Sequence, residues 1–578
     1  MPLNGCLLAA RLRTPEARPL LEARLAELVR FYSPLGEEAR LSERFSERLG
    51  LLAGLIRFDG RRADPRRPLV WGRALPGSLR TGTALVLASD DELRALPGPL
   101  AAVGLGRGGA RILTSAGGVT SLYHAASEEV EAWSSHAVAA GWLAHGRAAI
   151  DPGAVAELLA SEFVGGDRTL LDGVRAVPAA TTVELRPEGA TERSFWPRRE
   201  RWAPVPEEEA QGLAEAVLVD DLSRSLEGAT HPVLGLTSGL DSRALAVAMR
   251  ELGATFRAFT FGDPQAGDAV GAARVAADLG VGHEFGPFEW WSEEHGMSRL
   301  EVDVRWSEAG APVGFGRVPW PSPLSHWVAG VGAETGRSFY YRWTRPRGGE
   351  PSPAALHRAL TLPMEARLAG SRAEAVDAVR SRWRSLIEDA AALGHSGWRV
   401  LDVLYAEQRV RRWGRGMAPR LSAALVPGFA SPRLLAALAS LPLEDRLTDA
   451  FGRRFIAARA PGLEPRLVAP ARRGLITPGR RHAARLGLGS LRRGLGLPAP
   501  RRAGTRWYVE PPWDARGRYV EWLTDAVLDS PLLARAVGLR WGREVRRRFL
   551  AGDPAAAEIT CLAGAPVALE SALRSLGR

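Results

Sequence analysis

The sequence predicts a mixed α/β protein, with a strand-rich first part and a second part built on a parallel sheet. Residues 1–200 alternate short apolar runs with Gly, Pro and Asp, which is typical of a domain rich in strands. Between Pro232 and Phe261, an apolar run, a tight turn, a helical repeat and a second apolar run follow one another, as in a βαβ unit. The chain has 578 residues, a length that accommodates two to four domains.

The strand-rich part is expected to form one domain over residues 1–200. Its candidate strands are Leu51 to Phe58, Thr83 to Ala88, Arg111 to Thr114 and Val130 to Ser134. Cys6 lies in a predicted first strand, where free cysteine is usually buried. Because proline interrupts regular structure, a linker is predicted at Pro197, Pro204 and Pro206. A helical repeat from Glu207 to Leu226 begins the second domain, which we expect to span residues 207–578.

Composition excludes several classes of function. All 76 basic residues are arginine, which rules out Schiff-base enzymes, lysine nucleophiles and phosphate loops that need a lysine. The formal net charge is +11, but no basic stripe with aromatic residues indicates nucleic-acid binding. The two cysteines, Cys6 and Cys561, give neither a disulfide framework nor a cysteine metal cluster. Without a signal peptide or an apolar run of about 18 residues, we expect a cytoplasmic protein that does not insert into membranes.

The turn after Leu236 has the chemistry of an anion site. Thr237, Ser238 and Gly239 are small, so their backbone N–H groups could approach a phosphate at the start of the following helix. Asp241 adds a carboxylate that could bind a divalent cation. The alternative is an ordinary helix start, capped by Asp241 or Ser242, in any α/β protein.

The same turn carries a resemblance to a known family. Residues Thr237-Ser238-Gly239-Leu240-Asp241-Ser242 resemble the Ser-Gly-Gly-x-Asp-Ser loop of the ATP pyrophosphatases in the asparagine synthetase family. A second segment, Ala329 to Thr335, resembles the family's Ser-Gly-Glu-Gly-Ala-Asp-Glu, whose Asp binds magnesium. The resemblance implies a site for ATP and Mg²⁺, with Asp241 and Glu334 as metal ligands; a solvated Glu334 without a role is the alternative. The implied nucleotide contacts are Leu236, Thr237, Ser238, Gly239, Leu240, Asp241, Ser242, Thr260, Phe261 and Gly332.

Further positions match this family. Asp268 and His283 stand where the family has an acidic residue and a histidine. Phe259 lies on the strand that stacks adenine in the family, and a plain core position is the alternative. Tyr405 and Glu407 stand where an acid/base pair could face the nucleotide, and a charge on a helix surface is the alternative for Glu407.

A phosphate-binding lysine of the family has no counterpart in this chain. Arg472 or Arg473 would replace it, although a guanidinium differs from an ammonium in shape and hydration. Both belong to a basic run rich in Gly and Pro, from Ala469 to Arg502, most of which we expect to be a solvated loop.

The first domain resembles the glutaminase domain of the same family, in Gly117 to Ala137 and in Gly165 to Trp196. The resemblance implies an αββα sandwich of the N-terminal nucleophile class. A working enzyme of this type uses a cysteine exposed as the first residue, whose free amine acts as the base. Here position 2 is Pro2 and Cys6 lies inside a strand. We therefore expect a degenerate class II glutamine amidotransferase-like domain that no longer hydrolyses glutamine.

The combination resembles the lasso peptide cyclases. It comprises the degenerate domain, Leu55 to Gly60, and Gly-x-Gly-x-Glu-x-x-Arg from Gly330 to Arg337 ahead of Tyr340 and Tyr341. Val331 stands at the position of a residue that asparagine synthetases and β-lactam synthetases use in catalysis. We therefore expect the catalytic mechanism of neither family to apply unchanged. The implied activity is ATP-dependent closure of a macrolactam between the N-terminal amine of a leader-free precursor peptide and an Asp or Glu side chain. Implied partners are a leader peptidase and a leader-binding protein.

Two other classes of function are the alternatives. One is a small-molecule amide, β-lactam or asparagine synthetase-like ligase, which would share the ATP site but take a smaller substrate. The other is a non-catalytic ATP-binding subunit that presents a peptide to other proteins. The sequence predicts the same nucleotide site for all three.

Overall fold

The structure is a computed structural model, and its described residues form a mixed α/β protein with both antiparallel and parallel sheets. It describes residues 5–33, 40–47, 50–57, 68–72, 79, 81–96, 98–117, 119, 122–262, 264–286, 289–290, 300–302, 304–305, 316–317, 321–337, 339–340, 350–413, 424–463, 521–551 and 553–576.

The described strands are between two and eight residues long. They are β1 (Gly5–Leu12), β2 (Arg40–Ser46), β3 (Leu51–Arg57), β4 (Leu69–Gly72), β5 (Leu100–Gly106), β6 (Gly109–Thr114), β7 (Tyr123–Ala126), β8 (Val130–Ser134), β9 (Arg175–Ala176), β10 (Thr181–Arg186), β11 (Gly189–Ser194), β12 (Pro232–Gly235), β13 (Arg257–Phe261), β14 (His283–Gly286), β15 (Glu289–Trp290), β16 (Gly316–Arg317), β17 (His326–Ala329) and β18 (Ala424–Pro427).

Helices lie between some of these strands and dominate the second half of the described chain. They are α1 (Arg18–Tyr32), α2 (Gly82–Leu87), α3 (Asp90–Arg94), α4 (Ala137–His145), α5 (Pro152–Ser161), α6 (Arg198–Arg201), α7 (Glu207–Leu226), α8 (Leu240–Glu251), α9 (Gly267–Leu279), α10 (Pro353–Arg367), α11 (Ala373–Ala391), α12 (Arg399–Leu404), α13 (Pro432–Ser440), α14 (Leu443–Leu447), α15 (Ala450–Arg459), α16 (Pro531–Ala536), α17 (Leu539–Leu550) and α18 (Pro554–Leu573). Residues 521–527 are also helical.

The first part of the chain folds into two antiparallel sheets that pack face to face. The first sheet has six strands in the order β2-β3-β1-β8-β7-β9, and the second has five in the order β11-β10-β6-β5-β4. Leu7 and Ala9 of β1 share a buried cluster with Val103, Ile112 and Val183 of the second sheet. Helices α1 and α4 pack on the outer face of the first sheet, and α2 and α3 on that of the second. The described residues of this first part thus form four layers, with helices outside and sheets inside.

Three of the predicted strands are confirmed and one is wrong. β3, β6 and β8 contain the predicted runs, and Phe58 lies outside the described residues. The run from Thr83 to Ala88 belongs to helix α2 instead. Thr81 caps this helix by accepting the Ala84 N–H at 3.1 Å, and Leu85 is buried whereas Leu87 is exposed. A strand would place both leucines on one face, which does not agree with their different exposure. The capping residue Thr81, which precedes the apolar run, is the local signal that indicates a helix.

The second part is built on a five-stranded parallel sheet with the order β14-β13-β12-β17-β18. β12 lies at its centre, and Leu234 pairs with Ala258 of β13 on one side and with Val328 of β17 on the other. The predicted βαβ unit is confirmed as β12, α8 and β13, and the predicted helix from Glu207 to Leu226 is confirmed as α7. Helices α7, α8 and α13 pack on one face of the sheet. Val233 and Trp327 point to the other face and join the buried cluster of α10, α11 and α12.

The last described helix, α18, is the most apolar long helix. Its residues Ala555–Leu573 pass a test for membrane-spanning helices by length and composition alone, and 78% of that window is buried inside the protein. Ile559 and Leu562 pack in the same cluster as Trp383 and Trp541. Burial by protein accounts for this apolar composition, because a core helix has the same pattern.

Both cysteines are free and buried. Cys6 is 0% exposed, faces the helix side of β1, and has its sulfur 3.3 Å from the Ser134 hydroxyl oxygen. Alternation along β1 explains this position, since Leu7 and Ala9 point between the sheets and Cys6 points to the other face.

We expect neither Cys6 nor Cys561 to react with a maleimide in the native protein, and both to react after unfolding in guanidinium chloride, because the reagent needs an accessible sulfur. Mass spectrometry of the labelled protein counts the modified thiols. The Cys561→Ala variant leaves Cys6 for the same measurement, and fast labelling of that thiol in native protein would contradict the buried position.

Candidate functional site

The turn predicted to bind an anion follows the central strand of the parallel sheet. After β12 the chain passes through Leu236 to Gly239 and enters α8 at Leu240. From β12, the next strands in the chain, β13 and β14, lie on one side, whereas β17 and β18 lie on the other. The strand order therefore reverses beside β12. In open α/β sheets, ligands bind at the carboxyl ends of the strands at such a reversal.

Side-chain hydroxyls hold the shape of this turn. The Thr237 N–H donates to the Ser242 hydroxyl oxygen at 3.1 Å, and the Gly239 N–H donates to the Thr237 hydroxyl oxygen at 3.1 Å. The Ser238 hydroxyl donates to the carboxylate of Asp268. The backbone N–H groups of Thr237 and Gly239, which were predicted to face a phosphate, thus donate to side-chain hydroxyls. An anion at the start of α8 would have to replace these hydroxyls as the acceptor.

The strand next to the turn is tied to it by Thr260. Its hydroxyl donates to the Leu236 carbonyl oxygen at 2.7 Å and lies 2.9 Å from Nε2 of His283. A hydroxyl has one proton to donate, so Nε2 of His283 donates to Thr260. Burial lowers the pKa of His283, in keeping with a neutral ring. Phe261 is half-buried and stacks on Trp327 at 6.2 Å between ring centroids, whereas Phe259 is a buried core residue.

Three carboxylates surround one buried guanidinium beside the turn. Arg337 donates to Asp241, and its nitrogens lie 3.5 Å from a carboxylate oxygen of Glu334 and 3.5 Å from one of Asp449. Burial by itself would lower the pKa of Arg337, but Asp241, Glu334 and Asp449 raise it above the ordinary arginine value. The guanidinium is therefore permanently charged and compensates one of the three carboxylate charges, so the cluster keeps an excess of negative charge.

The backbone after β17 brings Glu334 to this cluster. Residues Ala333–Arg337 form a 3₁₀ turn, so Glu334 and Arg337 lie on the same side of it. Gly332 precedes the turn with φ of 96°, and a Cβ there would lie 2.5 Å from the Phe429 carbonyl oxygen. This position requires glycine because only glycine adopts that φ without strain and leaves room for the neighbouring backbone.

Tyr405 reaches the same cluster from the helical part. Its hydroxyl donates to a carboxylate oxygen of Glu334 at 2.6 Å. Burial, and then the charge of Glu334, raise the pKa of Tyr405 well above its ordinary value. The phenol therefore keeps its proton near neutral pH and acts as a hydrogen-bond donor that orients Glu334, not as a base.

Glu407 lies elsewhere. Its carboxylate accepts hydrogen bonds from Arg198 and, at 2.8 Å, from the indole N–H of Trp202, both in the segment that links the two parts of the chain. The structure thus separates the expected acid/base pair: Tyr405 contacts the cluster at Glu334, whereas Glu407 contacts the linker. The reason is that their side chains leave the helix in different directions, two positions apart.

The other predicted residues divide into two groups. Asp268 and His283 lie beside the turn through Ser238 and Thr260, as described above. Arg472, Arg473 and the basic run from Ala469 to Arg502 lie outside the described residues.

Two members of the cluster were not predicted as site residues, although Arg337 was named in the motif from Gly330 to Arg337. Arg337 follows Glu334 at the spacing of one helical turn, which could have suggested a pair. Asp449 is distant in sequence from both and has φ of 57°, so no local pattern indicates that it joins them.

The arrangement fits a magnesium ion that is shared with a nucleotide. Magnesium in such sites is held by one or two carboxylates together with phosphate oxygens and water, and Asp241 and Glu334 provide two carboxylates around one cationic position. A cavity of about 20 Å³, enough for one water-sized species, is lined by Asp241, Arg337 and Asp449 but not by Glu334. An ion held by Asp241 and Glu334 would exchange the contact between Asp241 and Arg337 for a metal contact. In the described part of the chain, no group of three or more His, Cys, Asp or Glu side chains could hold a metal alone.

No model of a protein family matches the chain, and no curated protein matches it.

Replacing Arg337 tests the charge balance of the cluster. We expect Arg337→Met to lower the free energy of unfolding by about 3–5 kcal/mol, because it leaves the carboxylate of Asp449, which is 4% exposed, and the partly buried Asp241 and Glu334 without their counter-ion. Arg459→Met is the matched control: its partners Glu215 and Glu251 are 22% and 44% exposed, so the loss should stay within about 1 kcal/mol. Guanidinium denaturation followed by circular dichroism measures the free energy of unfolding of both variants. Equal losses would contradict the role of Arg337 as a buried counter-ion.

Proposed function

We propose that this protein is an ATP- and magnesium-dependent ligase of the lasso peptide cyclase type. It adenylates an Asp or Glu side chain of a leader-free precursor peptide and closes an isopeptide bond with the N-terminal amine of that peptide. The observation that carries the proposal is that the carboxylates of Asp241 and Glu334 both lie against the guanidinium of Arg337. This cluster lies beside the turn that follows the central strand of the parallel sheet. These are the residues that the resemblance pairs as magnesium ligands.

The two parts of the fold support the same proposal. We assign residues 1–200 to a degenerate class II glutamine amidotransferase-like domain with the αββα sandwich of N-terminal nucleophile enzymes. Its four layers and the buried Cys6 support a retained scaffold without the exposed nucleophile. We assign residues 207–578 to an asparagine synthetase-like ATP pyrophosphatase domain with a largely helical C-terminal part. The parallel sheet and the turn at its centre support this assignment.

Each residue of the site has a defined task in this reaction. Asp241 and Glu334 would hold the ion, Tyr405 would fix the orientation of Glu334, and the start of α8 would face the phosphates. Bound MgATP would supply AMP as the leaving group that a carboxylate lacks. The peptide loses the elements of one water, while ATP is converted to AMP and pyrophosphate. Because one peptide carries both reacting groups, proximity lowers the barrier by about 7 kcal/mol or more.

The surroundings of the reaction follow from this proposal. The partners are the precursor peptide, a leader peptidase and a leader-binding protein, with no nucleic acid and no membrane. We place the protein in the cytoplasm, where ATP is available and where two free thiols stay reduced.

A defined peptide distinguishes the three candidate functions. With a leader-free peptide that has a free N-terminus and an internal Asp or Glu, we expect pyrophosphate release and a product lighter by one water, detected by mass spectrometry. Acetylation of the peptide N-terminus should block ring closure, because the attacking amine is then absent. A peptide with Asn or Gln at the internal position is the matched control for activation.

Two other results would each replace the proposal. Turnover with aspartate and ammonia, and with no peptide, would establish the small-molecule ligase. Binding of ATP without cleavage, with every peptide that carries the right groups, would establish the non-catalytic subunit.

Conservative changes at the two carboxylates test the magnesium site. We expect Asp241→Asn to reduce the rate of pyrophosphate release at least a hundredfold with the fold intact, as an order-of-magnitude estimate from the role of charge at the metal. Glu334→Asp should retain a measurable part of the rate, since it keeps the charge and changes only the reach. Circular dichroism checks the fold of each variant, and full activity of Asp241→Asn at ordinary magnesium would contradict the assignment.

A further inference from the structure

A rare helical turn connects the candidate site to the first domain. Helix α12 continues without a break into a π-helical turn at Tyr405–Val410 and then into an α-helical turn at Arg411–Trp413. π-Helical turns are uncommon and occur frequently at functional sites. Tyr405, at one end of this turn, contacts Glu334 of the candidate site. The next residues contact the other part of the protein.

Three consecutive residues of the turn bind the first domain or the linker. Glu407 accepts the Trp202 indole N–H, as described above. The Gln408 side-chain oxygen accepts the Gly166 N–H at 2.7 Å. Arg409 forms an ion pair of 2.7 Å with Glu162. The π-helical turn therefore fills the junction between the two parts of the chain.

Arg409 also touches the residues that hold Tyr405. Its guanidinium carbon lies 4.9 Å from the centroid of the Phe339 ring, within the range of a cation–π contact. Phe339 stacks on Tyr405, with 4.9 Å between centroids and 29° between planes. Glu162, Arg409, Phe339, Tyr405 and Glu334 thus form an unbroken series of contacts from the first domain to the acidic cluster.

The first member of this series is held in a strained conformation. Glu162 ends helix α5 with φ of 72°, which is unusual for a residue other than glycine. Its carboxylate lies between Arg409 and Arg367, each at 2.7 Å. Burial by itself would raise the pKa of Glu162, but Arg409 and Arg367 lower it, so the carboxylate stays ionised. Strained residues persist where their surroundings fix them, and they concentrate at functional positions.

We propose that the first domain is a positioning element for the site: Glu162, through Arg409 and Phe339, fixes Tyr405 and thereby the carboxylate of Glu334. The inference rests on the proposed magnesium site and gives the first domain a task that does not need glutamine hydrolysis. Glu162, Arg409 and Phe339 are positioning residues, because they act on the site through Tyr405.

The structural link is tested in the protein without ligands. We expect Arg409→Met to accelerate hydrogen–deuterium exchange in the peptide that covers residues 399–413, because the turn loses its anchor on Glu162. Arg382→Met is the matched control. Arg382 donates to the Gly165 carbonyl oxygen at 2.9 Å in the same junction, and no described contact joins it to Phe339 or Tyr405. Equal acceleration in both variants would overturn the link.

The effect on the metal site is measured by calorimetry, with magnesium titrated into protein that holds a non-hydrolysable ATP analogue. Arg409→Met and Tyr405→Phe should each weaken magnesium binding about tenfold, the usual loss when a group that orients a metal ligand is removed. The double variant should be no weaker than Tyr405→Phe, because both act through one contact. Arg409→Lys keeps the charge but not the planar stacking on Phe339, and should fall between wild type and Arg409→Met.

The outcomes separate this inference from the proposed function. Unchanged magnesium affinity in Arg409→Met, or losses that add in the double variant, would overturn the positioning role while leaving the magnesium site in place. A wild-type protein that binds neither magnesium nor the analogue would overturn the proposed function. The exchange experiment would then still decide whether Glu162 and Arg409 fix the turn at Tyr405.

Discussion

The sharing of one buried guanidinium by three carboxylates is the constraint on which the site depends. Asp241 comes from the first turn of α8, Glu334 from the turn after β17, and Asp449 from the residue before α15. Each carboxylate loses hydration in this position, and Arg337 supplies the compensating charge. The central β12, the neighbouring β17 and the helical part are thereby held in one relative arrangement. Because one guanidinium faces three carboxylates, the cluster keeps an excess of negative charge that a divalent cation could compensate.

The junction between the two parts follows the same principle on a larger scale. Arg409 pairs with Glu162, and Arg411 donates to the Val177 carbonyl oxygen in the first part of the chain. Arg412 is buried nearby, and burial lowers its pKa to about 10. A guanidinium keeps its charge at neutral pH even so, although Nε and one terminal nitrogen of Arg412 have no hydrogen-bond partner among the described residues. Arg409 and Arg411 therefore help to fix the position of the helical part against the first part of the chain.

Local features of the fold were predictable from the sequence, and long-range ones were not. The β12, α8, β13 unit is encoded in a change of apolar period and in Gly253, which has φ of 66° after the helix. The run at Thr83 misled because six apolar and small residues suit either a strand or a helix until the cap at Thr81 is considered. Asp241 and Glu334 could be nominated by motif, but the cation between them and the third carboxylate depend on tertiary contacts. The direction of Glu407 likewise depends on the packing of the linker.

The choice of cation has a chemical consequence beyond charge. Arg337 and Arg409, like all 76 basic side chains of the protein, carry a guanidinium and not a primary amine. A guanidinium is protonated at neutral pH and is not a nucleophile, whereas a lysine amine near its surface would attack an activated acyl group. For the proposed reaction, the amino group of the peptide thus meets no competing side-chain amine. If the proposed reaction takes place, no lysine side chain of this sequence would be acylated in place of the peptide amine.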